Sequence, residues 1–511
     1  MTVLVGRMKK ETVQFALCLL AGTLMGGILL LDLPIKWKVA FFVAIGIIGL
    51  MLGTKSPVRV LLCILAFLVP FNLSKGLVSR PEYSGYTNSV SISPSDILVL
   101  ILLGLLLAKA ALHQANIHIP SIIVSALAWL VLSSLSLLAA QDNQAVVFQL
   151  INMSKMVLLC LAIAGSVTND LDLTFVITGL MLSMVFQSFV GIYQGVTGHP
   201  LGLRILTEIS EVRQQDLSVG LVSRVQGMLG APTILGMYLS TGVPLALALL
   251  FSRTRRYVKV LAGVTLCLLG WALIFSLTRA AWGNFLVSIC LVIVLAVRRK
   301  RISIKAAIVI TGATALVLLG VALIGTDLIR SRLIGTDRGS AHGRITQARG
   351  ALAIMRDNPA VGIGLNNYTL VSPRYDQEDA AAWNYYAPIV HNAFLLIGAE
   401  TGLLGLGGFV VSLVILLIQA WRIIGNAPSE MVWVTGVGIL GGLAALIIHS
   451  LVGYGLLGSS QIFKQFWVLA GLAAALMQRV GHERQNIRSA LFSSNTMTRG
   501  LRFSEKDIHG K

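Results

Sequence analysis

Long apolar segments constrain this chain more than any other feature. Most of them run for about 17–25 residues, the length of helix that crosses a bilayer. Hydrophobic residues make up 56% of the 511 positions and charged residues only 12%, whereas a soluble domain is about one quarter charged. Because a helix satisfies its own backbone groups in lipid, the pattern predicts an all-α polytopic membrane protein.

The apolar segments predict about 12–14 transmembrane helices. Their approximate bounds are 13–31, 39–53, 58–71, 95–112, 120–139, 146–165, 172–195, 229–251, 258–277, 280–297, 305–325, 391–420, 432–453 and 462–480. We therefore expect a single helical membrane domain over residues 1–480 and a flexible basic tail over 481–511. The five cysteines lie inside apolar segments without metal-ligand spacing, so they predict neither a metal site nor disulfides.

Lysine and arginine predict the orientation. They are concentrated before the first span, in the tail, and in the connections between spans two and three, eight and nine, and ten and eleven. Since short cytoplasmic loops are rich in these residues, we place these segments and both termini in the cytoplasm. Three longer connections then lie on the outer face, at about 72–94, 196–228 and 326–390. The net charge of +19 fits an anionic membrane surface and gives no reason to expect nucleic-acid binding.

The connection 326–390 carries seven arginines, which is unusual for an outer loop. Arg344 opens a stretch, 345–355, whose spacing predicts an amphipathic helix on the membrane surface. The apolar face of that helix would contain Ile345, Ala348, Leu352 and Met355. The arginines either rest on anionic lipid head groups or bind an anionic ligand, for which the planar guanidinium suits phosphate.

Two further arginines stand at predicted outer turns. Arg224 precedes a turn shaped by Gly227, Gly230 and Pro232, and it is either an interfacial arginine that snorkels to water or a phosphate ligand. Arg279 lies in the very short turn between spans nine and ten. An ordinary turn residue is one reading, but an arginine near membrane depth is costly and usually functional.

The segment from His391 to Leu406 marks the return of the chain into the membrane. His391 and Glu400 are nine positions apart, on opposite faces of a helix, which argues against a metal pair. His391 is either a plain polar residue at a helix start or a general base, and Asn392 and Glu400 are candidates to support it. A buried Glu400 would alternatively serve a neighbouring helix.

Taken together, these motifs resemble those of the bacterial O-antigen ligase and polymerase superfamily. The resemblance rests on Arg224 with Pro232, on Thr278–Trp282, on Pro359 with Gly362 and Gly364, and on His391–Asn392 with Glu400–Leu403. It covers roughly residues 220–420. This sequence departs from the pattern mildly, with Thr233 where Asn is common and Ala280 where Gly is common.

The resemblance implies a glycosyltransferase-C-like fold and an outer-face enzyme of the bacterial inner membrane. Its expected donor is an undecaprenyl-diphosphate-linked glycan, and its expected acceptor is a sugar hydroxyl on a lipid or glycan. Arg224, Arg279 and Arg344 would bind the diphosphate and His391 would take the hydroxyl proton. The transfer would need no cofactor and no metal, although Asp376, Glu378 and Asp379 form an acidic group in the same loop.

Two other classes remain open from the sequence alone. One is a transporter of lipid-linked glycan or polysaccharide, which would place its substrate groups at mid-membrane and commonly contain repeats. The other is a structural scaffold of an envelope assembly. Within the enzyme class, the sequence leaves open whether the acceptor makes the protein a ligase, a polymerase or a protein glycosyltransferase.

Overall fold

A computed structural model describes residues 56–112, 119–203, 211–217, 220–309, 311–312, 340–375 and 389–508. Within these ranges, ten helical segments are long and apolar enough to cross a membrane. The prediction of an all-α polytopic membrane protein is therefore confirmed.

The helices, in chain order, are α1 (Pro57–Phe67), α2 (Pro94–Ala111), α3 (Ser121–Ser134), α4 (Asn143–Ser166), α5 (Asp170–Thr197), α6 (Pro232–Ser240), α7 (Val243–Phe251), α8 (Arg256–Ser276), α9 (Arg279–Arg298), α10 (Ser340–Asp357), α11 (Tyr368–Val371), α12 (Ala393–Gly425), α13 (Glu430–Ser450), α14 (Gly455–Gly458) and α15 (Ser460–Ile508). Helix α3 is extended by a 3-10 turn, Leu135–Leu138, and α6 and α7 together form one span, Pro232–Phe251.

Ten of the predicted spans correspond to these segments. The predicted spans 13–31 and 39–53 lie outside the described residues, and so does most of 305–325. The predicted span 58–71 is the 11-residue helix α1, which is too short to cross a bilayer by itself. Pro70 follows closely, and the position before a proline disfavours helical backbone.

The predicted basic tail from residue 481 is helical up to Ile508, because α15 continues through it. The segment 482–508 has no proline and only one glycine, Gly500. Arginine, glutamate and leucine, which favour helix, recur along it. A basic helix thus leaves the membrane domain where flexible chain was predicted.

Two short antiparallel hairpins occupy predicted outer connections. Strands β1 (Lys75–Ser79) and β2 (Ser89–Ile92) pair with an irregularity between Gly76 and Val78. Strands β3 (Arg213–Leu217) and β4 (Gly220–Arg224) pair in regular register, with Arg213 opposite Arg224. The second hairpin delivers Arg224 to the start of the span that begins at Pro232.

Successive spans run antiparallel, so their connections gather at two ends. We call one the loop end; among the described residues it carries the segments 68–93, 139–142, 198–203, 211–217, 220–231, 277–278, 389–392 and 451–459. The other end is held by ion pairs such as Arg59–Asp172 at 2.9 Å and Arg479–Asp170 at 2.6 Å. At the loop end, Arg80 and Asp142 form an ion pair at 2.5 Å that joins the first hairpin to α4.

Helix α12 is broken inside its span at Gly402, which has φ 64° and ψ −168°. In a continuous helix, the N–H groups of Leu403 and Leu404 would donate to the carbonyls of Ala399 and Glu400. At this break they donate instead to Pro359 and Ala360, at 2.8 and 3.3 Å.

The loop 359–364 supplies the missing partners on both sides of the break. The carbonyls of Ala399 and Glu400 accept hydrogen bonds from the N–H groups of Ile363 and Gly364, at 3.1 and 3.0 Å. We call this exchange the backbone splice. The splice explains why glycines stand at positions 362 and 364. A Cβ on Gly362 would lie 2.4 Å from the carbonyl carbon of Glu400, and both glycines have positive φ.

The splice predicts the effect of Gly402→Ala. A Cβ at Gly402 would lie 2.3 Å from the carbonyl oxygen of Ala360, and an alanine at positive φ costs about 1–2 kcal/mol before any clash. We expect a clear drop in the thermal midpoint of the detergent-purified protein. Gly407→Ala is the matched control in the same helix, because nothing lies within 4 Å of its Cβ position. Equal midpoints for the two variants would contradict the splice.

Candidate functional site

Arg224 is folded onto the turn that carries Arg279. Its Nε and Nη2 both donate to the carbonyl of Ser276 at 3.2 Å, and Nη2 lies 3.4 Å from the Thr278 hydroxyl. The arginine side chain is buried, with 8% exposure. An arginine snorkelling to water would instead extend its guanidinium out of the protein. The structure therefore ties two of the predicted site arginines to one turn.

The turn itself is tightly constrained. Leu277 has φ 50°, which is uncommon for a residue other than glycine. The Thr278 hydroxyl donates to the carbonyl of Pro232 at 3.2 Å, and Trp282 Nε1 donates to Leu273 at 2.8 Å. Arg279 is the first residue of α9 and is half-buried. Its backbone thus has little freedom to move away from Arg224.

His391 is held in one orientation by Gln347 of helix α10. Gln347 Oε1 accepts the backbone N–H of His391 at 3.2 Å and lies 2.8 Å from His391 Nδ1. An oxygen can only accept, so the Nδ1 that faces it carries the proton. The other ring nitrogen, Nε2, is then the proton acceptor. The edge of the imidazole also packs on Tyr454, with ring centroids 5.7 Å apart.

Arg344 lies close enough to His391 to influence its charge. Burial lowers the pKa of His391, and the positive charge of Arg344 lowers it further. Arg344 is exposed, whereas Gln347, three residues later on the same helix, is buried. Residues three apart share a helix face, so α10 presents a cation and a histidine-orienting amide to His391.

Helix α10 packs on the protein with a face other than its apolar one. The helix is confirmed, but Ile345 and Leu352 are each 53% exposed. The residues buried against the protein include Gln347, Ala351 and Ile354. Ile345 and Leu352 are thus left uncovered by protein, as a helix on the membrane surface would leave them. The polar residue Gln347 lies on the packed face, where it contacts His391.

The segment after α13 connects the two parts of the site. Tyr454 packs on His391, and its neighbour Gly455 approaches Ile234, whose Cδ1 would lie 2.9 Å from a Cβ on that glycine. Ile234 follows Pro232, which accepts the Thr278 hydrogen bond. The Arg224–Arg279 pair and the Arg344–His391 pair therefore border one short segment at the loop end.

Asn392 has a structural role that the sequence did not specify. Its side-chain oxygen accepts from the backbone N–H groups of Phe394 and Leu395, at 2.9 and 3.1 Å, and so caps α12. Its amide nitrogen donates to the carbonyl of Leu451 at 3.2 Å. Asn392 thus fixes the start of α12, directly after His391, to the end of α13.

Glu400 forms hydrogen bonds to neighbouring segments and not to His391, which fits the alternative prediction that it would bind a neighbouring part of the protein. It is fully buried, and its oxygens accept from the Tyr86 hydroxyl at 2.6 Å and from the backbone N–H of Tyr368 at 3.2 Å. Both partners come from loop-end connections. Glu400 therefore holds the first hairpin and the 359–368 loop against α12.

The described residues contain no group of three or more histidine, cysteine, aspartate or glutamate side chains that would hold a metal ion. Asp376, Glu378 and Asp379 lie outside the described residues.

Three residues that contact the predicted site residues were not predicted from the sequence. Gln347, Tyr454 and Tyr86 contact His391 or Glu400 from helices and loops far away in the chain. Gln347 alone had a local signal, since it stands three positions after Arg344 on the predicted helix. Nothing in the spacing of Tyr86 or Tyr454 indicates these contacts.

Residues 264–410 match the family model described as O-antigen ligase. This confirms the resemblance to the O-antigen ligase and polymerase superfamily and supports a glycosyl-transferring enzyme. The matched segment contains Arg279, Arg344 and His391, whereas Arg224 precedes it. A search of curated proteins found no match.

Proposed function

We propose that this protein is an outer-face glycosyltransferase of the bacterial inner membrane. It would move a glycan from an undecaprenyl-diphosphate donor onto a sugar hydroxyl during O-antigen or exopolysaccharide assembly, as a ligase or a polymerase. The observation that carries the proposal is the arrangement at the loop end. Arg344 lies near a half-buried histidine, His391, whose Nδ1 is held by Gln347. Arg224 and Arg279 share a turn that is linked to His391 through the segment at Tyr454 and Gly455. The O-antigen ligase match over residues 264–410, which contain Arg279, Arg344 and His391, supports it.

The arginines would bind the diphosphate leaving group. Arg224, Arg279 and Arg344 remain charged at any physiological pH, and each charge-assisted hydrogen bond contributes about 1.5–3 kcal/mol. Negative charge grows on the diphosphate as its bond to the sugar breaks, so fixed cations stabilise the transition state more than the ground state. Arg224 also holds the Arg279 turn in place.

His391 would act as the general base. The acceptor hydroxyl transfers its proton to His391 Nε2 while its oxygen attacks the anomeric carbon. The bond from that carbon to the diphosphate oxygen breaks, and its electron pair leaves with the diphosphate. A diphosphate leaves readily, so the proton transfer to His391 is the step that most needs a protein group. The lowered pKa of His391 keeps the imidazole neutral and ready to accept.

A transporter of lipid-linked glycan is the competing proposal. The broken helix α12 favours it, because transporters commonly bind substrate at discontinuous helices. However, the backbone groups freed at Gly402 are already paired with the 359–364 loop, and Glu400 is engaged by Tyr86 and Tyr368. The break is thus filled by protein, which favours the enzyme.

The orientation can be tested with single cysteines in a variant that lacks the five native ones. Glu82 is exposed at the loop end and Lys300 is exposed at the opposite end. A membrane-impermeant maleimide applied to intact spheroplasts should label Glu82→Cys and should label Lys300→Cys only after permeabilisation. The reverse pattern would place the site in the cytoplasm and contradict the proposed outer-face transfer.

Arg279→Lys tests the diphosphate site. Lysine keeps the charge but loses the planar fork that donates two parallel hydrogen bonds. We expect glycan transfer, measured in cells lacking the native copy, to fall roughly tenfold to a hundredfold at an unchanged membrane level. The control is Arg255→Lys, an exposed arginine next to α8 at the opposite end, which should retain transfer. If Arg279→Lys transferred glycan at the wild-type rate, Arg279 would not bind the diphosphate and would be an ordinary turn residue.

The pH dependence of transfer tests His391. Its lowered pKa predicts full activity down to about pH 6.5, the ordinary histidine value, and an acid fall below it as the imidazole gains a proton. Arg344→Gln removes one cause of the lowering, so its acid fall should begin at higher pH. His391→Ala and His391→Gln should each lose about 10²–10⁴-fold in turnover.

Binding measurements complete that test. His391→Gln should bind the lipid-linked donor about as well as the wild type, because the amide still forms hydrogen bonds. An acid fall that stays at the same pH in Arg344→Gln, or wild-type turnover by His391→Gln, would remove His391 as the base.

A further inference from the structure

A polar cavity of about 320 Å³ opens at the loop end, outside the arginine and histidine cluster. It lies between the first hairpin, helix α4 and the start of α15. Most of its lining residues are amides and hydroxyls, among them Asn72, Asn88, Asn152, Ser459, Ser460 and Gln461. Small-molecule pockets of this size are mostly apolar with a few polar groups, so this lining indicates an unusually polar ligand.

The charge of the cavity separates it from a phosphate site. Lys155 is the one charged side chain that lines it among the described residues. Its Nζ is paired with Asp96 at 2.8 Å and donates to the carbonyl of Ser91 at 2.8 Å. A diphosphate needs several uncompensated cations, and a lipid chain needs apolar walls. A ligand with many hydroxyl groups fits both the lack of net charge and the polar walls.

Two amides in the lining are available to such a ligand. The side chains of Asn88 and Asn152 form no hydrogen bond with the residues that the structure describes. An amide side chain offers two donors and one acceptor oxygen with two lone pairs. This pairing suits neighbouring hydroxyls on a sugar ring, each of which both donates and accepts.

The cavity borders both halves of the candidate site. Ile234 lines it and lies two residues after Pro232, to which the Arg279 turn is bonded. Gly458 also lines it and lies four residues after Tyr454, which packs on His391. Tyr86 lines the cavity as well and donates to Glu400. A glycan held in the cavity would thus lie near the segments that contact the Arg279 turn and His391.

We propose that this cavity is a glycan-binding subsite that takes an uncharged, hydroxyl-rich sugar segment of the donor or of the acceptor. The inference rests on the proposed transferase function and assigns binding of the diphosphate and binding of the sugar to different residues. The arginines bind the diphosphate, and Asn88 and Asn152 bind sugar hydroxyls.

The test combines Asn88→Leu and Asn152→Leu, which keep the side-chain size and remove the hydrogen bonds. Purified protein in nanodiscs is titrated with two probes: the lipid-linked glycan extracted from a strain lacking this protein, and undecaprenyl diphosphate without a glycan. The matched control is Asn143→Leu, an exposed residue at the start of the same helix that does not line the cavity.

If the cavity binds the donor glycan, the double variant should weaken binding of the lipid-linked glycan roughly tenfold or more. Its binding of undecaprenyl diphosphate should equal that of the wild type and of Asn143→Leu. If the cavity binds the acceptor glycan instead, both lipids should bind normally. The KM for an envelope extract of the same strain, used as acceptor, should then rise by a similar factor.

Two results would overturn the inference. One is a double variant that matches the wild type in donor binding and in acceptor KM. The other is an equal loss of binding for both lipids, which would assign the cavity to the diphosphate or to the folded state. A wild-type protein that binds the lipid-linked glycan but never transfers it would contradict the proposed function separately, while the binding comparison would still decide whether the cavity holds sugar.

Discussion

The backbone splice at Gly402 is the constraint on which the loop end depends. A break inside an apolar span leaves backbone donors and acceptors without partners, at a cost of several kcal/mol each in lipid. Here the loop 359–364 supplies every partner of the four groups at the break. The exchange locks a segment of the long loop against α12. Beyond it, the Asn366 side chain donates to Thr87 in the first hairpin and the Asn367 side chain donates to the carbonyl of Asp142, while the N–H of Tyr368 donates to Glu400.

The candidate site follows from that anchoring. Helix α10 leads directly into the spliced loop, so fixing the loop at α12 also fixes Gln347 and Arg344 near His391. Asn392 caps α12 one residue after His391 and ties it to α13. On the other side, Arg224 binds the turn before Arg279. Rigid backbone thus holds groups that come from widely separated parts of the chain, as electrostatic catalysis requires.

Hydrophobic length predicted the membrane helices well, because a bilayer imposes one physical criterion on every span. Hydrophobic length failed at α1, where Pro70 follows too soon. It says nothing about the tail, whose helix reflects residues that favour helix. The turn at Thr278 and the helix after Arg344 were also foreseeable from local spacing. Each depends on residues close together in the sequence.

Contacts between residues far apart in the sequence could not be predicted from the sequence. The glycines of the 359–364 loop and the glycine at position 402 looked like a turn and a helix-packing surface, and only the fold shows that they form one splice. The same holds for Tyr86 with Glu400 and for Gln347 with His391, which are 314 and 44 residues apart. The face of α10 that packs on the protein could not be predicted, because Gln347 on that face is polar and its partner, His391, is distant in the chain.

The central claim is that the loop-end arginines and histidine move a glycan rather than carry a lipid across the membrane. The most direct measurement incubates the purified protein with the lipid-linked glycan extracted from a strain lacking it, together with an envelope extract as acceptor, and analyses the products by mass. We expect free undecaprenyl diphosphate to appear in step with acceptor that has gained the glycan mass. Recovery of the intact lipid-linked glycan, with no new glycosidic product although it crosses the bilayer of a proteoliposome, would contradict the account.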